Sequence, residues 1–148
     1  MTLQSSMTIA AEGLNTHSNR LQIHANNIAN TDTPNYVRKI PVLMENNSIN
    51  FDDMISRMRS GVIQTGLSYG PSGVTMAGVI TDPTPGKKVF RPGHPEADKD
   101  GYITLSNVNP LADLADATVS ARVYEANLAV VGVVKAMANR ALEIGRGQ

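Results

Sequence analysis

Three histidines are the side chains best suited to metal or acid–base chemistry in this sequence. His17 and His24 lie seven positions apart, about 10 Å along a helix, so they cannot share an ion held at about 2 Å within one chain. We interpret both as polar members of a helix–helix interface. His94 lies near Glu96 and Asp98, but its Pro-Gly-His-Pro setting is typical of a turn. These residues therefore predict no metal site, no cofactor and no enzymatic activity.

A second candidate site is the acidic stretch from Glu96 to Gly101, whose oxygen-bearing residues follow the order of a calcium loop. The twelfth position of that loop should be a bidentate carboxylate, but it is Asn107 here. A tight turn between two strands is therefore the favoured interpretation, and a calcium-binding interaction module is an alternative from another functional class.

Composition excludes several further classes. The 13 basic and 13 acidic residues cancel, and nucleic-acid binding needs a basic excess, so we expect no nucleic-acid partner. The sequence contains no Cys, which excludes disulfides and thiolate chemistry. No apolar run approaches the length of a membrane span, and the first residues have no signal-peptide pattern, so neither feature is expected.

The first thirty residues predict one long amphipathic helix. Apolar and histidine positions alternate at spacings of four and three, the pattern of a heptad seam. The predicted helix covers 1–30 and ends where Pro34 disfavours helical backbone at Thr33. The seam positions are Leu3, Met7, Ala10, Leu14, His17, Leu21, His24 and Ile28.

A longer helix is predicted over 110–146, with Pro110 in its first turn. Two adjacent apolar stripes run along it, and a helix with a single partner needs only one. Some of its neighbours are therefore expected to be other copies of the chain. The first stripe contains Leu114, Ala117, Ala121, Tyr124, Leu128, Val131, Ala138 and Leu142, and the second contains Val123, Asn127, Val130, Val134, Met137, Ala141 and Ile144.

The middle of the chain, 31–109, predicts an extended connection and a small β element. Gly and Pro residues punctuate it, and short strands are expected at 74–76, 79–81, 87–90 and 102–105. Within it, 45–73 is expected to be mobile apart from a short helix over 51–58. The predicted fold is α+β, with the terminal helices paired as a coiled-coil-like hairpin.

One segment at the end of the first helix is recognisable. Residues 25–36 resemble the amino-terminal signature of the bacterial flagellar rod and hook proteins, the axial family. Relatives often have Gly where this chain has Asn35, and Asn suits that position if its φ is positive. The signature positions here are Asn26, Asn27, Ile28, Ala29, Asn30, Thr33, Pro34 and Tyr36.

The carboxyl-terminal half resembles the proximal-rod branch of this family. The resemblance lies in 89–102, 107–110 and 120–127, and in the ending 141–145. Another rod or hook subunit is an alternative, since the amino-terminal signature is shared by all of them. The matching positions in the second helix include Arg122, Tyr124, Ala126 and Asn127.

The resemblance implies a structural subunit of the flagellar basal-body rod. It implies helical polymerisation through the terminal helices, partners that are other copies and other rod proteins, export by the flagellar type III apparatus, and a place within the periplasm. Apolar positions of both helices are the expected assembly interface: Leu3, Met7, Leu14, Leu21, Ile28, Leu114, Ala121, Tyr124, Leu128, Val130, Val131, Val134, Met137 and Leu142.

Overall fold

Two long helices lie at the ends of the chain, and a small set of strands comes between them in the sequence. The computed structural model describes residues 2–46, 59 and 72–146. This architecture confirms the α+β prediction. The elements in chain order are α1 (Leu3–Ala29), β1 (Lys39–Asn46), β2 (Gly73–Thr81), β3 (Lys88–Phe90), β4 (Tyr102–Thr104) and α2 (Pro110–Arg146).

Side-chain caps explain where the helices begin and end. Thr2 and Ser5 form a reciprocal capping box at the start of α1, which satisfies backbone N–H groups that have no helical partner. Asn30 ends α1, where its side-chain amide donates to the carbonyl of Asn26 at 2.8 Å. At the start of α2, the Asn109 side chain accepts from two backbone N–H groups, and proline occupies the first helical position as predicted.

The two helices pack against each other in antiparallel directions. Asp113 near the start of α2 contacts Asn27 near the end of α1, while Asn127 lies beside Gly13. At about 1.5 Å per residue, α1 is roughly 40 Å long and α2 roughly 55 Å, so α2 extends past the start of α1. Within the described residues, neither helix has a stretch apolar enough to cross a bilayer.

The buried face between these elements is made of small and polar side chains. Bulky apolar residues are mostly absent from it, so the helix backbones approach closely and the core is thin. The buried positions in the two helices are Ala10, Gly13, Thr16, His17, His24, Asn27, Asp113, Ala117, Ser120 and Val134.

Strands β1 and β2 form an antiparallel pair from Lys39–Thr81 to Asn46–Gly73, with a bulge at Ala77. β1 was not predicted, because Pro41 interrupts its pattern. A two-stranded sheet has only edge strands, where proline is tolerated. The segments 74–76 and 79–81 were predicted as separate strands, but they are one strand interrupted by the bulge.

Asn46 pairs with Gly73, so residues at both ends of the segment 45–73 belong to strands, while most of that segment, for which mobility is predicted, lies outside the described residues. The predicted short helix over 51–58 lies outside the described residues.

Strands β3 and β4 form a second antiparallel pair, close to the predicted positions. The Phe90 and Tyr102 rings pack edge to face, with centroids 5.3 Å apart. The chain turns between the strands as predicted: the Asp98 carboxylate accepts from the backbone N–H groups of Asp100 and Tyr102 at 3.0 and 2.8 Å. Gly101, between these two residues, has a φ of 79°, a conformation that favours glycine.

The close approach of the helices predicts different effects for one substitution at two sites. We expect Gly132→Ala to stabilise α2 by about 0.5–1 kcal/mol, because nothing lies within 4 Å of the added methyl. In Gly13→Ala the methyl would lie 2.8 Å from the Asn127 side-chain nitrogen, so that gain is reduced or reversed. Thermal unfolding followed by circular dichroism measures both, and equal stabilisation would contradict the close packing.

Candidate assembly interface

Asn27 lies at the centre of a buried polar cluster where α1, β1 and α2 meet. Its side chain is fully buried. The amide nitrogen donates to the Lys39 carbonyl at 2.7 Å and to the Asp113 carboxylate at 3.0 Å, and the amide oxygen accepts from the Lys39 N–H and the Tyr36 hydroxyl, both at 3.0 Å. All four hydrogen bonds available to an asparagine are therefore made within the chain.

Asp113 is the second central residue, and its side chain has no exposed surface. Arg38 Nε donates to one carboxylate oxygen at 2.8 Å, and His24 Nδ1 lies 2.8 Å from the other. Burial alone would raise the pKa of Asp113, but hydrogen bonds from Arg38, His24 and Asn27 outweigh it and hold the pKa below its usual range. We call His24, Asn27, Tyr36, Arg38 and Asp113 the polar junction.

Arg38 connects the polar junction to the rest of the chain. Its guanidinium lies 3.9 Å from Asp82 and 3.7 Å from Asp116, and its backbone N–H donates to Asn107 Oδ1 at 2.7 Å. Its backbone carbonyl accepts from the Asp82 N–H at 2.9 Å. The hydrogen bond to Asp113, with further help from the nearby carboxylates, raises the pKa of Arg38 above its usual value. One side chain thus links β1, the end of β2 and α2.

The polar junction is arranged to hold elements together. Its hydrogen bonds join α1, the connection into β1, and α2, and Asn27 has no hydrogen-bonding capacity left for a ligand. Across the ranges that the structure describes, no three His, Asp or Glu side chains are grouped closely enough to hold a metal ion. The geometry of the polar junction therefore favours a structural role.

Other signature residues shape the chain immediately after α1. Asn35 has φ of 59°, so the condition under which asparagine suits this position is met. Its N–H donates to the Thr104 carbonyl at 2.9 Å, so the left-handed turn attaches this connection to β4. The Thr33 hydroxyl donates to the Asn30 side chain at 3.2 Å, and Pro34 follows directly. Asn26 and Ala29 are exposed on the outer side of α1, and Ile28 is half-buried.

The predicted interface residues of α1 lie along one edge of its contact with α2. Their neighbours Ala10, His17 and His24 are buried, whereas the larger apolar side chains of the same seam are only partly covered. Leu3 is 40% exposed, Met7 37% and Leu21 38%; Leu14 is half-buried. The structure thus divides the predicted seam into a buried part within the chain and an apolar edge that faces outward.

The predicted interface residues of α2 divide in the same way. Val134 is buried against the rest of the chain, and Ala121, Val131 and the signature residue Asn127 are half-buried. The remaining predicted positions face outward, as do the signature residues Arg122 and Ala126. The outward-facing apolar positions, with their exposures, are Leu114 (56%), Tyr124 (38%), Leu128 (54%), Val130 (46%), Met137 (54%) and Leu142 (65%).

Two further valines extend this outward-facing apolar surface. Val119 is 53% exposed and Val133 60%, and the helical period places both on the same side of α2 as Val130 and Met137. We call Val119, Val130, Val133, Met137 and Ile144 the outer stripe.

Sequence reasoning missed Arg38, Asp113 and Asn107. One signal for Asp113 was present, because it lies four positions before Ala117, on the stripe that packs against α1. A charged residue at such a position requires a partner, and His24 is the polar seam residue across from it. No comparable local pattern indicated Arg38, which comes from the connection after α1.

Two family models match the parts of the chain that build these features. The model described as "Flagella basal body rod protein" matches residues 7–36, which include Asn27 and Tyr36. The model described as "Flagellar basal body rod FlgEFG protein C-terminal" matches residues 99–144, which include Asp113 and the whole outer stripe. These two matches indicate a structural subunit of the flagellar basal-body rod.

Similar proteins extend the match over the whole chain. "Flagellar basal-body rod protein FlgC" of Bacillus subtilis is 30% identical, covering 99% of this chain and 100% of the relative. The FlgC proteins of Salmonella typhimurium and Buchnera aphidicola are also 30% identical, covering 99% and 97% of this chain and 100% and 98% of the relatives. The chain belongs to the FlgC family of flagellar basal-body rod proteins, and it is a structural protein, not an enzyme.

The buried carboxylate predicts unequal effects for two neighbouring substitutions. Asp113→Asn removes the charge that faces Arg38 and His24, so we expect the free energy of unfolding to fall by about 1–3 kcal/mol. Asp116→Asn is the matched control. Its side chain is 48% exposed and 3.7 Å from Arg38, so a change below about 0.5 kcal/mol is expected. Denaturant unfolding distinguishes the two, and equal losses would contradict the role assigned to Asp113.

The lowered pKa of Asp113 also predicts a loss of stability in acid. Below about pH 4 the unfolded carboxylate takes up a proton before the native one does, so stability falls with pH through the native pKa. We expect this slope to be smaller in Asp113→Asn, by up to about 1.4 kcal/mol per pH unit, and to be retained in Asp116→Asn. Unfolding measured between pH 2 and 5 tests this, and an unchanged slope in Asp113→Asn would refute it.

Proposed function

We propose that this rod subunit polymerises helically through α1 and α2, forming a shaft that transmits torque and surrounds an export channel. The observation that carries the proposal is the outer stripe, a row of apolar side chains that remains exposed along α2 in the single chain. Burial of apolar surface contributes roughly 25 cal/mol per Å², so covering such a row along a helix favours association.

The apolar edge of α1, formed by Leu3, Met7, Leu14 and Leu21, supplies a second surface with a different composition. Contacts between two unlike surfaces do not close a symmetric pair, and when the rotation between copies does not close a ring they generate a helix. In this proposal, 1–30 and 110–146 form the inner part of the shaft, while 31–109 lies outside it.

The partners are other copies of the chain and other rod proteins of the basal body. We further propose export by the flagellar type III apparatus and a place in the part of the rod that crosses the periplasm. The absence of Cys is compatible with passage as an unfolded chain. The balance of 13 basic and 13 acidic residues gives no support to a nucleic-acid partner.

Charge placed in the proposed interface tests this function. Leu128→Asp and Val130→Asp each place a carboxylate on an outward-facing apolar position of α2, 54% and 46% exposed in the free chain. The free subunit tolerates such a charge in water, but assembly would bury it without a partner. We therefore expect both variants to fold, shown by circular dichroism, and to yield cells without rods and without motility.

Asn139→Asp is the matched control, since it adds the same charge at an exposed polar position of α2. It should retain rods in electron micrographs of basal bodies, and it should retain motility. Normal motility in both Leu128→Asp and Val130→Asp would remove the interface assignment. Loss of folding in either variant would show that its side chain supports the single chain instead.

A further inference from the structure

Two histidines are buried in the contact between α1 and α2, and their surroundings differ. His24 is 3% exposed, and its Nδ1 lies 2.8 Å from the Asp113 carboxylate. A proton added to His24 would therefore face a negative charge. His17 is 9% exposed, and in the described part of the chain it forms no ion pair. A positive charge on His17 would thus be buried without a counter-ion.

The immediate neighbours of the His17 ring also disfavour a proton. Its Nδ1 is buried and has no hydrogen-bond partner. Both ring nitrogens of an imidazolium carry hydrogen, so protonated His17 would bury an N–H donor that has no acceptor. Arg20 follows at three-residue spacing on the same side of α1, and its Nε is likewise buried without a partner. A second donor and a second cation therefore lie where His17 would need an acceptor.

These surroundings change the proton affinity of His17. Burial lowers the pKa of His17 below its ordinary value of 6.5, and the positive charge of Arg20 lowers it further. The folded chain therefore keeps His17 neutral at pH values where the unfolded chain has begun to protonate it.

The strands packed against α1 bring no free carboxylate to His17. The elements in contact with α1 are α2, β1 and β2, and no residue of β2 is ionisable. On β1, Lys39 is a cation, and the Glu45 carboxylate accepts a hydrogen bond from Ser72. On α1 itself, the Glu12 carboxylate accepts from Asn46 at 2.7 Å.

The second helix likewise leaves His17 without a counter-ion. The antiparallel register of the helices places His17 across from about residue 123 of α2. The ionisable residues of α2 within two turns of that point are Asp116, Arg122, Tyr124 and Glu125. Asp116 lies 3.7 Å from Arg38, and Arg122 and Glu125 are exposed on the outer side of α2.

We propose that His17 and Arg20 form an acid-sensitive point in the α1–α2 contact, where protonation of His17 weakens the pairing of the two helices. The effect depends on contacts within one chain, so it holds whether or not the chain polymerises. If the paired helices form the inner part of a shaft, mild acid would lower the fraction of chains that are ready to assemble.

The sign of the effect follows from which state binds the proton first. As the pH falls below about 6.5, the unfolded chain protonates His17 before the folded chain does, so stability falls. The loss ends below the folded pKa, where both states carry the proton. Within this window, one proton raises the unfolding equilibrium constant by up to about tenfold for each pH unit. The slope expected from Asp113 lies below about pH 4, in a separate range.

Denaturant unfolding of the purified full chain between pH 5 and 7.5 tests this effect. The unmodified chain should lose stability toward pH 5. His17→Gln keeps a polar side chain that cannot be protonated, so it should lose most of this pH dependence. His94→Gln is the matched control and should retain it, because His94 lies in the turn between β3 and β4, away from the helix contact. Equal pH dependence in the unmodified chain and in His17→Gln would overturn the proposal.

An NMR titration measures the same property in the unmodified chain. The sequence contains three histidines, so the imidazole C2–H signals are few and can be assigned by triple-resonance experiments. We expect the midpoint of His17 to lie below 6.5, the ordinary value. A midpoint at or above that value would overturn the proposal, even if His17→Gln fails to fold.

A charge substitution tests the part assigned to Arg20. Arg20→Gln removes the neighbouring cation, so the His17 midpoint should move upward. Arg140→Gln is the matched control. It removes an exposed cation near the far end of α2, and it should leave the midpoint unchanged. An equal shift in both variants, or no shift in Arg20→Gln, would overturn the role of Arg20.

The outcomes also separate this effect from the proposed polymerisation. A chain that shows the pH dependence but forms no helical polymer would contradict only the polymerisation. A chain that polymerises but shows no pH dependence assigned to His17 would contradict only the acid-sensitive contact.

Discussion

A buried carboxylate is the constraint on which this structure depends. Asp113 has no exposed side-chain surface, so its charge must be balanced by donors held at fixed positions. The donors come from His24 and Asn27 in α1 and from Arg38 in the connection that leads into β1. Satisfying this one group therefore fixes where α2 crosses α1 and where the first pair of strands begins.

The same arrangement explains how apolar material is distributed. Because small and polar side chains fill much of the contact between the helices, large apolar side chains contribute little to the interior of the single chain. They lie instead on the edge of α1 and at outward-facing positions of α2 such as Leu128 and Met137. A chain built in this way gains much of its apolar burial from neighbours, as expected for a subunit of a polymer.

The helices were predictable from local signals, and the contacts between distant residues were not. Apolar periodicity, Pro34 and Pro110 indicated both helices to within a few residues. The position of β1 was hidden because Pro41 breaks the usual strand pattern. Periodicity assigns residues to a face of a helix but does not say what covers that face, so the pairing of Arg38 with Asp113 required the three-dimensional structure.

The attachment of the first strand pair to α1 has a mechanical consequence. Asn27 binds the backbone of Lys39, Thr16 donates to the Val74 carbonyl at 2.8 Å, and Asn46 donates to Glu12 at 2.7 Å. These three attachments are spread over about 22 Å of the helix. One attachment thus lies at the base of the strand pair and two lie at its far end, so a sideways load on the pair is passed to α1 at both ends and does not turn the pair about a single hinge.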